Sequence, residues 1–337
     1  MSEEQAELAS TVRSLLDKRS DSAAVRAAST TPSGHDEALW STLCEQIGVA
    51  ALGVPEQYDG VGVSFFETAV VLEELGRCLA PSPLLATTVA TQALLAGGTE
   101  EAKARLLPRI AGGEIATLAL DSKPVLDGDR ATILLAVIGD ELVEVEGAEA
   151  TWVESMDQTI RLARLDLTNA TTTTLGDGHA ARDRAALIGA ASVAALAVGL
   201  ADRALQMTVT YSKERVQFGR SIGSFQALKH RLAEVFTRTE LARSASWAAS
   251  YALSQVEEPG GSGESDGAEN PNDPGFLTHA AASYTVETAQ LAASECIQIH
   301  GGIAITWEHD AHLIFKRAHA LGHLFGAPHQ HRAAVHR

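Results

Sequence analysis

Apolar and polar residues alternate at helical spacing through most of the first 114 residues. Apolar side chains repeated every three or four positions form one face of a helix. The predicted helices cover residues 3–18, 35–50, the second half of 53–77, 84–96 and much of 99–114. Thr99 is suited to cap the last of these helices, and Gly112-Gly113 to end it. This part of the chain is therefore predicted to be a helical domain, residues 1–114.

The pattern changes at residue 115. The stretches "IATLAL", "ATILLAVIGDELVEVEG" and "TIRLARLDLT" alternate β-branched and polar residues and contain a Gly-Asp turn, which is typical of short strands. They predict a small middle β domain over 115–178.

Helical spacing returns at Arg182. The pattern predicts a long alanine-rich helix through Lys213 and further helices over 224–254, 277–298 and 307–324. Between two of them, "VEEPGGSGESDGAENPNDPG" (256–275) is too polar and too rich in Gly and Pro to bury apolar surface, so we expect a flexible loop there. The fold class expected is mainly α with a small β unit, ending in a C-terminal four-helix bundle over 179–337.

Charge and composition exclude several classes of protein. The formal charge is −17, whereas a nucleic-acid binder needs a basic surface. The acidic start "MSEEQAELASTV" does not resemble a signal peptide, and the most apolar run, 187–200, is too short to span a membrane. Cys44, Cys78 and Cys296 are too few for a disulfide framework. We therefore expect a cytoplasmic protein that binds neither nucleic acid nor membrane.

The motif "YSKERVQFGRSIGSFQALKHRLAE" (211–234) contains Arg-x-x-Phe-Gly, and "QIHGG" (298–302) contains Gln-x-x-Gly-Gly. With the 53–77 segment and the helix–β–helix order, these stretches resemble the acyl-CoA dehydrogenase family. The resemblance covers nearly the whole chain. It implies an FAD-dependent oxidation of an acyl-CoA thioester, in which a glutamate takes the α-proton and FAD takes the β-hydride. In homotetrameric members, the two motifs hold the ADP half of the FAD bound in a neighbouring subunit.

The chemistry of the motif residues agrees with that role. An arginine forms forked bonds to a pyrophosphate, and paired glycines let backbone N–H groups approach a phosphate. Without the resemblance, the same residues read more simply as a solvated arginine and a helix stop. With it, the residues predicted to contact FAD are Arg215, Gln217, Phe218, Gly219, Gln298, Gly301 and Gly302.

Three departures from the family pattern concern catalysis. The segment that normally cradles the flavin ring reads "TLALDSKPVLDGDR" (117–130), where Ser122 and Pro124 are a poor remnant. In register with the family, one position for the catalytic glutamate falls at Phe325 and the alternative position falls at Gly189. Neither residue can accept a proton, so no catalytic residue is predicted.

Histidines are concentrated near the C-terminus, where His319 and His323 are four residues apart and are therefore expected on one face of the predicted helix. Such a pair could bind zinc, but no Cys or carboxylate accompanies it in the pattern that zinc sites use. We expect surface or interface histidines and no metal site.

The departures resemble the non-catalytic chain of actinobacterial heteromeric α2β2 acyl-CoA dehydrogenases of steroid side-chain degradation. That resemblance implies a longer partner chain with the catalytic glutamate, a CoA ester of a steroid side chain as the acyl-CoA substrate, and an electron-transfer flavoprotein as acceptor. Two alternatives stay open: a self-sufficient acyl-CoA dehydrogenase with an unrecognised base, and a flavin-dependent monooxygenase on the same fold.

Overall fold

The computed structural model describes residues 1–120, 124–256 and 272–335. Ser122 and most of the expected loop at 256–275 lie outside these residues. The N-terminal helices are α1 (Glu3–Arg19), α2 (Ser22–Thr30), α3 (Glu37–Thr42), α4 (Phe65–Cys78), α5 (Leu84–Gly97) and α6 (Glu100–Ala111). Thr99 caps α6 by accepting the N–H of Ala102, as predicted.

The strands follow the N-terminal helices. They are β1 (Ala116–Ala119), β2 (Val125–Leu126), β3 (Ile133–Ile138), β4 (Glu141–Glu146), β5 (Glu149–Val153), β6 (Leu162–Asp166) and β7 (Thr171–Asp177). Within the described residues they form one sheet in the order β1-β3-β4-β7 and another in the order β2-β6-β5. Strand β1 runs parallel to β3, and the remaining pairs are antiparallel.

The C-terminal part is helical again. Its elements are α7 (Gly178–Glu214), the short strands β8 (Val216–Gln217) and β9 (Arg220–Ser221), α8 (Gln226–Ser254), α9 (Pro274–His300), α10 (Ala311–Leu321) and α11 (Pro328–Val335). Helix α7 packs on α4, α5, α8 and α9. These elements confirm the predicted fold class, mainly α with a small β unit.

Helix α7 forms the centre of the fold. It contains an 18-residue window with a mean hydropathy of 1.9, apolar enough by composition to cross a membrane, and 83% of that window is buried inside the protein. Its small residues let neighbouring backbones approach closely: a Cβ at Gly199 would lie within 3.0 Å of the backbone of Glu73. Packing against the other helices thus accounts for the apolar character of α7.

Several element boundaries differ from the sequence prediction. Helix α7 begins at Gly178 rather than Arg182, because the Asp177 side chain accepts the N–H groups of the first turn. Helix α10 begins only at Ala311, since residues 306–310 form turns, and His323 lies beyond its end. The prediction that His319 and His323 share a helical face was therefore wrong.

A buried ion pair joins the strands to the C-terminal helices. Nε of Arg317 in α10 lies 2.6 Å from Oδ2 of Asp157, and the two side chains are 3% and 2% exposed. The guanidinium also donates to the carbonyl oxygen of Thr159 at 3.0 Å. The loop between β5 and β6 is thereby fixed against the helices that carry the C-terminal site residues.

Candidate functional site

The C-terminal ends of α7 and α9 meet at one end of the bundle. The ring of Tyr211 stacks on that of His300, with centroids 4.3 Å apart, and the Tyr211 hydroxyl donates to the carbonyl oxygen of His300 at 3.4 Å. Tyr211 lies one turn before Arg215, and His300 directly precedes Gly301. The structure therefore brings the two predicted FAD motifs to the same end of the molecule.

The first motif forms an exposed hairpin. The Arg215 N–H closes α7 on the carbonyl of Tyr211, and its own carbonyl accepts the N–H of Ile222 at 2.8 Å. Between β8 and β9, Phe218 and Gly219 have φ values of 51° and 76°, the signature of a tight two-residue hairpin turn. This turn leaves the Phe218 side chain 92% exposed. The exposed ring is available to a group from outside the chain.

The second motif is an open turn. Gln298 is exposed on the last turn of α9, and Gly301 has φ +66°, a conformation that favours glycine. A Cβ added at Gly301 or Gly302 would meet nothing within 4 Å. Both glycines thus present uncovered backbone at the surface.

These residues suit an ADP moiety chemically. An arginine supplies a forked cation for a pyrophosphate, glycine backbone allows close approach of a phosphate, and an exposed aromatic ring adds a stacking surface. Arg215, Gln217, Phe218, Gly219, Gln298, Gly301 and Gly302 are all exposed, so a nucleotide that they contact can be seated in another chain. Their contact with FAD stays a prediction.

A separate cavity lies between the β domain and the C-terminal helices. Its volume is about 390 Å³. It is bordered by residues 117, 118, 120 and 124–126, by α5 and α7, and by residues 323–326 and 330. Described residues of the segment that replaces the family's flavin cradle therefore line the same cavity as Phe325, which stands at the family's position for the catalytic glutamate. Its described lining includes no Asp or Glu.

Phe325 and Gly189 are in direct contact. A Cβ added at Gly189 would lie within 3.0 Å of three ring carbons of Phe325. Phe325 has φ +53°, which is uncommon for a non-glycine residue. The ring therefore occupies the space beside α7 at the second family position for a base. One apolar contact thus fills both positions that the family resemblance linked to catalysis.

Sequence reasoning did not single out two groups of residues. The cavity walls Ala86 and Val89 belong to α5, whose near-complete burial is signalled by its apolar run in the sequence. A pair of histidines, His279 and His331, joins α9 to α11 through Nδ1 atoms 3.0 Å apart. Only the fold could show this contact, because 52 residues separate the two histidines.

The surroundings of the histidine pair oppose its protonation. Burial lowers the pKa of His279, and burial with the neighbouring imidazole lowers that of His331. Both histidines ordinarily titrate near 6.5. Below about pH 6.5 the folded protein therefore binds fewer protons than the unfolded chain. The free energy of unfolding then decreases as the pH falls further. Among residues 1–120, 124–256 and 272–335, no group of three His, Cys, Asp or Glu side chains could hold a metal ion.

Comparisons with known proteins agree with the fold and the motifs. A model of the acyl-CoA dehydrogenase N-terminal domain matches residues 2–114, and one of the C-terminal domain matches residues 176–337. The acyl-CoA dehydrogenase IpdE2 of Mycolicibacterium smegmatis is 43% identical over 329 residues, which cover 97% of this chain and 96% of IpdE2. FadE34 of Mycobacterium tuberculosis, also an acyl-CoA dehydrogenase, is 33% identical over 83% of this chain but only 39% of its own length.

A similar solved structure is that of a variant of the Tcur3481-Tcur3483 steroid ACAD. It has a TM-score of 0.84 and 26% identity, and the match covers 99% of this chain and 97% of that one. Members of the matched family are FAD-dependent oxidoreductases that act on the CH–CH bond of acyl-CoA. With both domain models matched and a relative 43% identical across almost the entire chain, the protein belongs to the acyl-CoA dehydrogenase family.

Proposed function

We propose that this chain is a non-catalytic subunit of a heteromeric acyl-CoA dehydrogenase. The observation that carries the proposal is the contact of Phe325 with Gly189, which fills both family positions for a base with groups that cannot accept a proton. The partner would be a longer family member with the catalytic glutamate, in an α2β2 assembly. The reaction's proton transfer then belongs to the partner.

In this proposal the chain contacts an FAD molecule that is seated in its partner. Arg215 and the Gly301–Gly302 turn would contact the pyrophosphate of the FAD seated in the partner. Gln217, Phe218, Gly219 and Gln298 would complete the contact with its ADP half. The exposure of all seven residues supports this arrangement, because residues that contact a cofactor seated in another chain must lie at the surface.

Two relatives support a two-component assembly. The Tcur3481-Tcur3483 steroid ACAD has a name that joins two components. In FadE34, the match to this chain covers only 39% of the protein, so the rest of FadE34 is long enough to hold a second unit of similar size. A chain without its own catalytic base requires a second unit that supplies one.

The substrate and the electron acceptor belong to the same proposal. The steroid ACAD supports a CoA ester of a steroid side chain as the substrate class. An electron-transfer flavoprotein would accept the electrons from FAD, as the family resemblance implies, and the reaction would take place in the cytoplasm. A self-sufficient enzyme is disfavoured by the described lining of the cavity, which includes no carboxylate.

The test is FAD retention in the complex of this chain with its co-expressed partner. Replacing Arg215 with Ala removes a charge-assisted bond worth about 1.5–3 kcal/mol, so FAD affinity should fall about ten- to a hundredfold. Arg215→Lys should keep only part of the FAD affinity, because a point charge cannot form the forked contact. Arg238→Ala is the matched control, since Arg238 is also an exposed arginine of the bundle, with 44% side-chain exposure.

FAD content is measured after desalting, and the size of the complex is checked in the same samples. Loss of FAD from the Arg215→Ala complex, with the Arg238→Ala complex unchanged, supports the proposal. Equal FAD content in an intact Arg215→Ala complex removes Arg215 from the cofactor site and contradicts it.

A further inference from the structure

Trp307 presents one open aromatic face beside the Gly301–Gly302 turn. The residue lies in the turn before α10, and 62% of it is exposed. The ring of His312 stacks beneath it, with centroids 4.9 Å apart and an angle of 19° between the rings. Nζ of Lys316 also lies 4.9 Å from the centre of the indole. His312 and Lys316 are four residues apart on α10, so both project from one face of that helix beside the indole.

The turn that carries the indole is tied down at several points. The Trp307 carbonyl oxygen lies 3.4 Å from Nε2 of His312. Three residues later, Asp310 accepts hydrogen bonds from the Ser22 hydroxyl and from the Arg26 guanidinium of α2. An aromatic ring fixed in this way loses little conformational freedom when a ligand stacks on it. The open face of Trp307 is therefore a pre-organised stacking surface.

Its distance from the glycine turn suits a nucleotide. Residues 301–305 form a 3-10 turn that rises about 2 Å per residue, and Trp307 follows two residues after its end, so the chain between the glycines and Trp307 spans on the order of 10 Å. A ligand whose phosphate meets the glycine backbone can place a planar ring at the indole. The ammonium of Lys316 beside the ring also suits a ligand with a negative charge.

We propose that Trp307 stacks against the adenine ring of a bound ADP moiety, the group that FAD and CoA share. The inference rests on the proposed function for the FAD case, where it adds the residue that holds the adenine while Arg215 and the glycines hold the pyrophosphate. Trp307 is a binding residue that positions the nucleotide and takes no part in the chemistry. Ile303 and Ile305, 48% and 76% exposed, flank it and offer no stacking surface.

The experiment uses the full-length chain in the complex in which it is purified, freed of bound nucleotide. ADP is the probe, and tryptophan fluorescence and calorimetry are the readouts. ADP should quench fluorescence saturably in the wild type and in Trp152→Phe, a control at another exposed tryptophan. The quench should disappear in Trp307→Phe. Inorganic pyrophosphate, which has no adenine, should not produce it.

The expected loss of ADP affinity follows from the energy of base stacking. Stacking of a base on an aromatic side chain implies that Trp307→Ala weakens ADP binding roughly five- to a hundredfold, while Trp307→Phe keeps most of the affinity. FAD and CoA titrations then identify the source: the nucleotide whose affinity falls in Trp307→Ala is the one that the indole holds. Unchanged affinities for ADP, FAD and CoA in Trp307→Ala overturn the proposal, as does a loss of partner association without any change in nucleotide binding, which would make Trp307 a protein contact.

Failure of this inference can be separated from failure of the proposed function. If Arg215→Ala loses FAD but Trp307→Ala keeps it and binds CoA normally, only the stacking role of Trp307 is wrong. If Trp307→Ala loses CoA affinity while Arg215→Ala retains FAD, the stacking role stands and the FAD contact is wrong.

Discussion

Adding a single methyl group at Gly189 tests the contact that fills the family's base positions. The new Cβ would lie within 3.0 Å of the Phe325 ring, closer than real Cβ contacts. Overpacking of this kind costs about 1–3 kcal/mol, whereas replacing Gly with Ala inside a helix gains about 1 kcal/mol. We therefore expect Gly189→Ala to destabilise the protein by up to about 2 kcal/mol.

The same substitution should change sign when the ring is removed. In a Phe325→Ala background the clash is gone, so Gly189→Ala should stabilise the protein by up to about 1 kcal/mol. The difference between the two backgrounds is the coupling energy, about 1–3 kcal/mol. Gly199→Ala is the control, because its Cβ would meet the Glu73 backbone instead, and it should be costly in both backgrounds.

Chemical unfolding of the four variants of the cycle and of the control gives these free energies directly. A coupling energy near zero between positions 189 and 325 would show that the ring does not lie against α7. The claim that the Phe325 ring fills the space at both family positions for a base would then be wrong.

Three further outcomes follow from the described contacts. Replacing His279 and His331 with Asn should reduce the loss of thermal stability as the pH falls below about 6.5, because burial lowers the pKa of both imidazoles; an unchanged loss would exclude the pair as its source. Arg317→Met should cost about 3–5 kcal/mol in chemical unfolding, since it leaves Asp157 buried without its partner; adding Asp157→Leu should recover part of that loss, and a purely additive double variant would argue against the pair. Phe325→Glu should leave turnover per complex unchanged, because the substitution supplies a carboxylate without the family's flavin cradle; a doubling of turnover would indicate a second working site.

Local sequence signals predicted much of the fold. Thr99 begins α6 because its side chain accepts a backbone N–H, a rule that acts over three residues. The Gly-Asp turn at 139–140 separates β3 from β4, because a positive φ at Gly139 suits a tight turn. The hairpin after Arg215 coincides with the Arg-x-x-Phe-Gly motif, and the turn after His300 coincides with the two glycines of Gln-x-x-Gly-Gly.

Contacts between distant residues could not be predicted in this way. The sequence showed that Phe325 and Gly189 each lack a carboxylate, but not that one packs on the other across more than a hundred residues. Trp307 became a candidate only when α10 placed His312 and Lys316 beside its indole. The start of α10 itself was misplaced because Trp307 stands at helical spacing from Ala311 and Ile314, although residues 306–310 form turns.

The most direct test of the central claim is the FAD content of this chain alone and in its complex. The account predicts no stoichiometric FAD and no acyl-CoA oxidation with the purified chain alone, and one FAD for each pair of this chain and its partner in the active complex. The measurement combines the flavin absorbance spectrum with the protein concentration of each chain. A chain that by itself binds one FAD and oxidises an acyl-CoA would contradict the account.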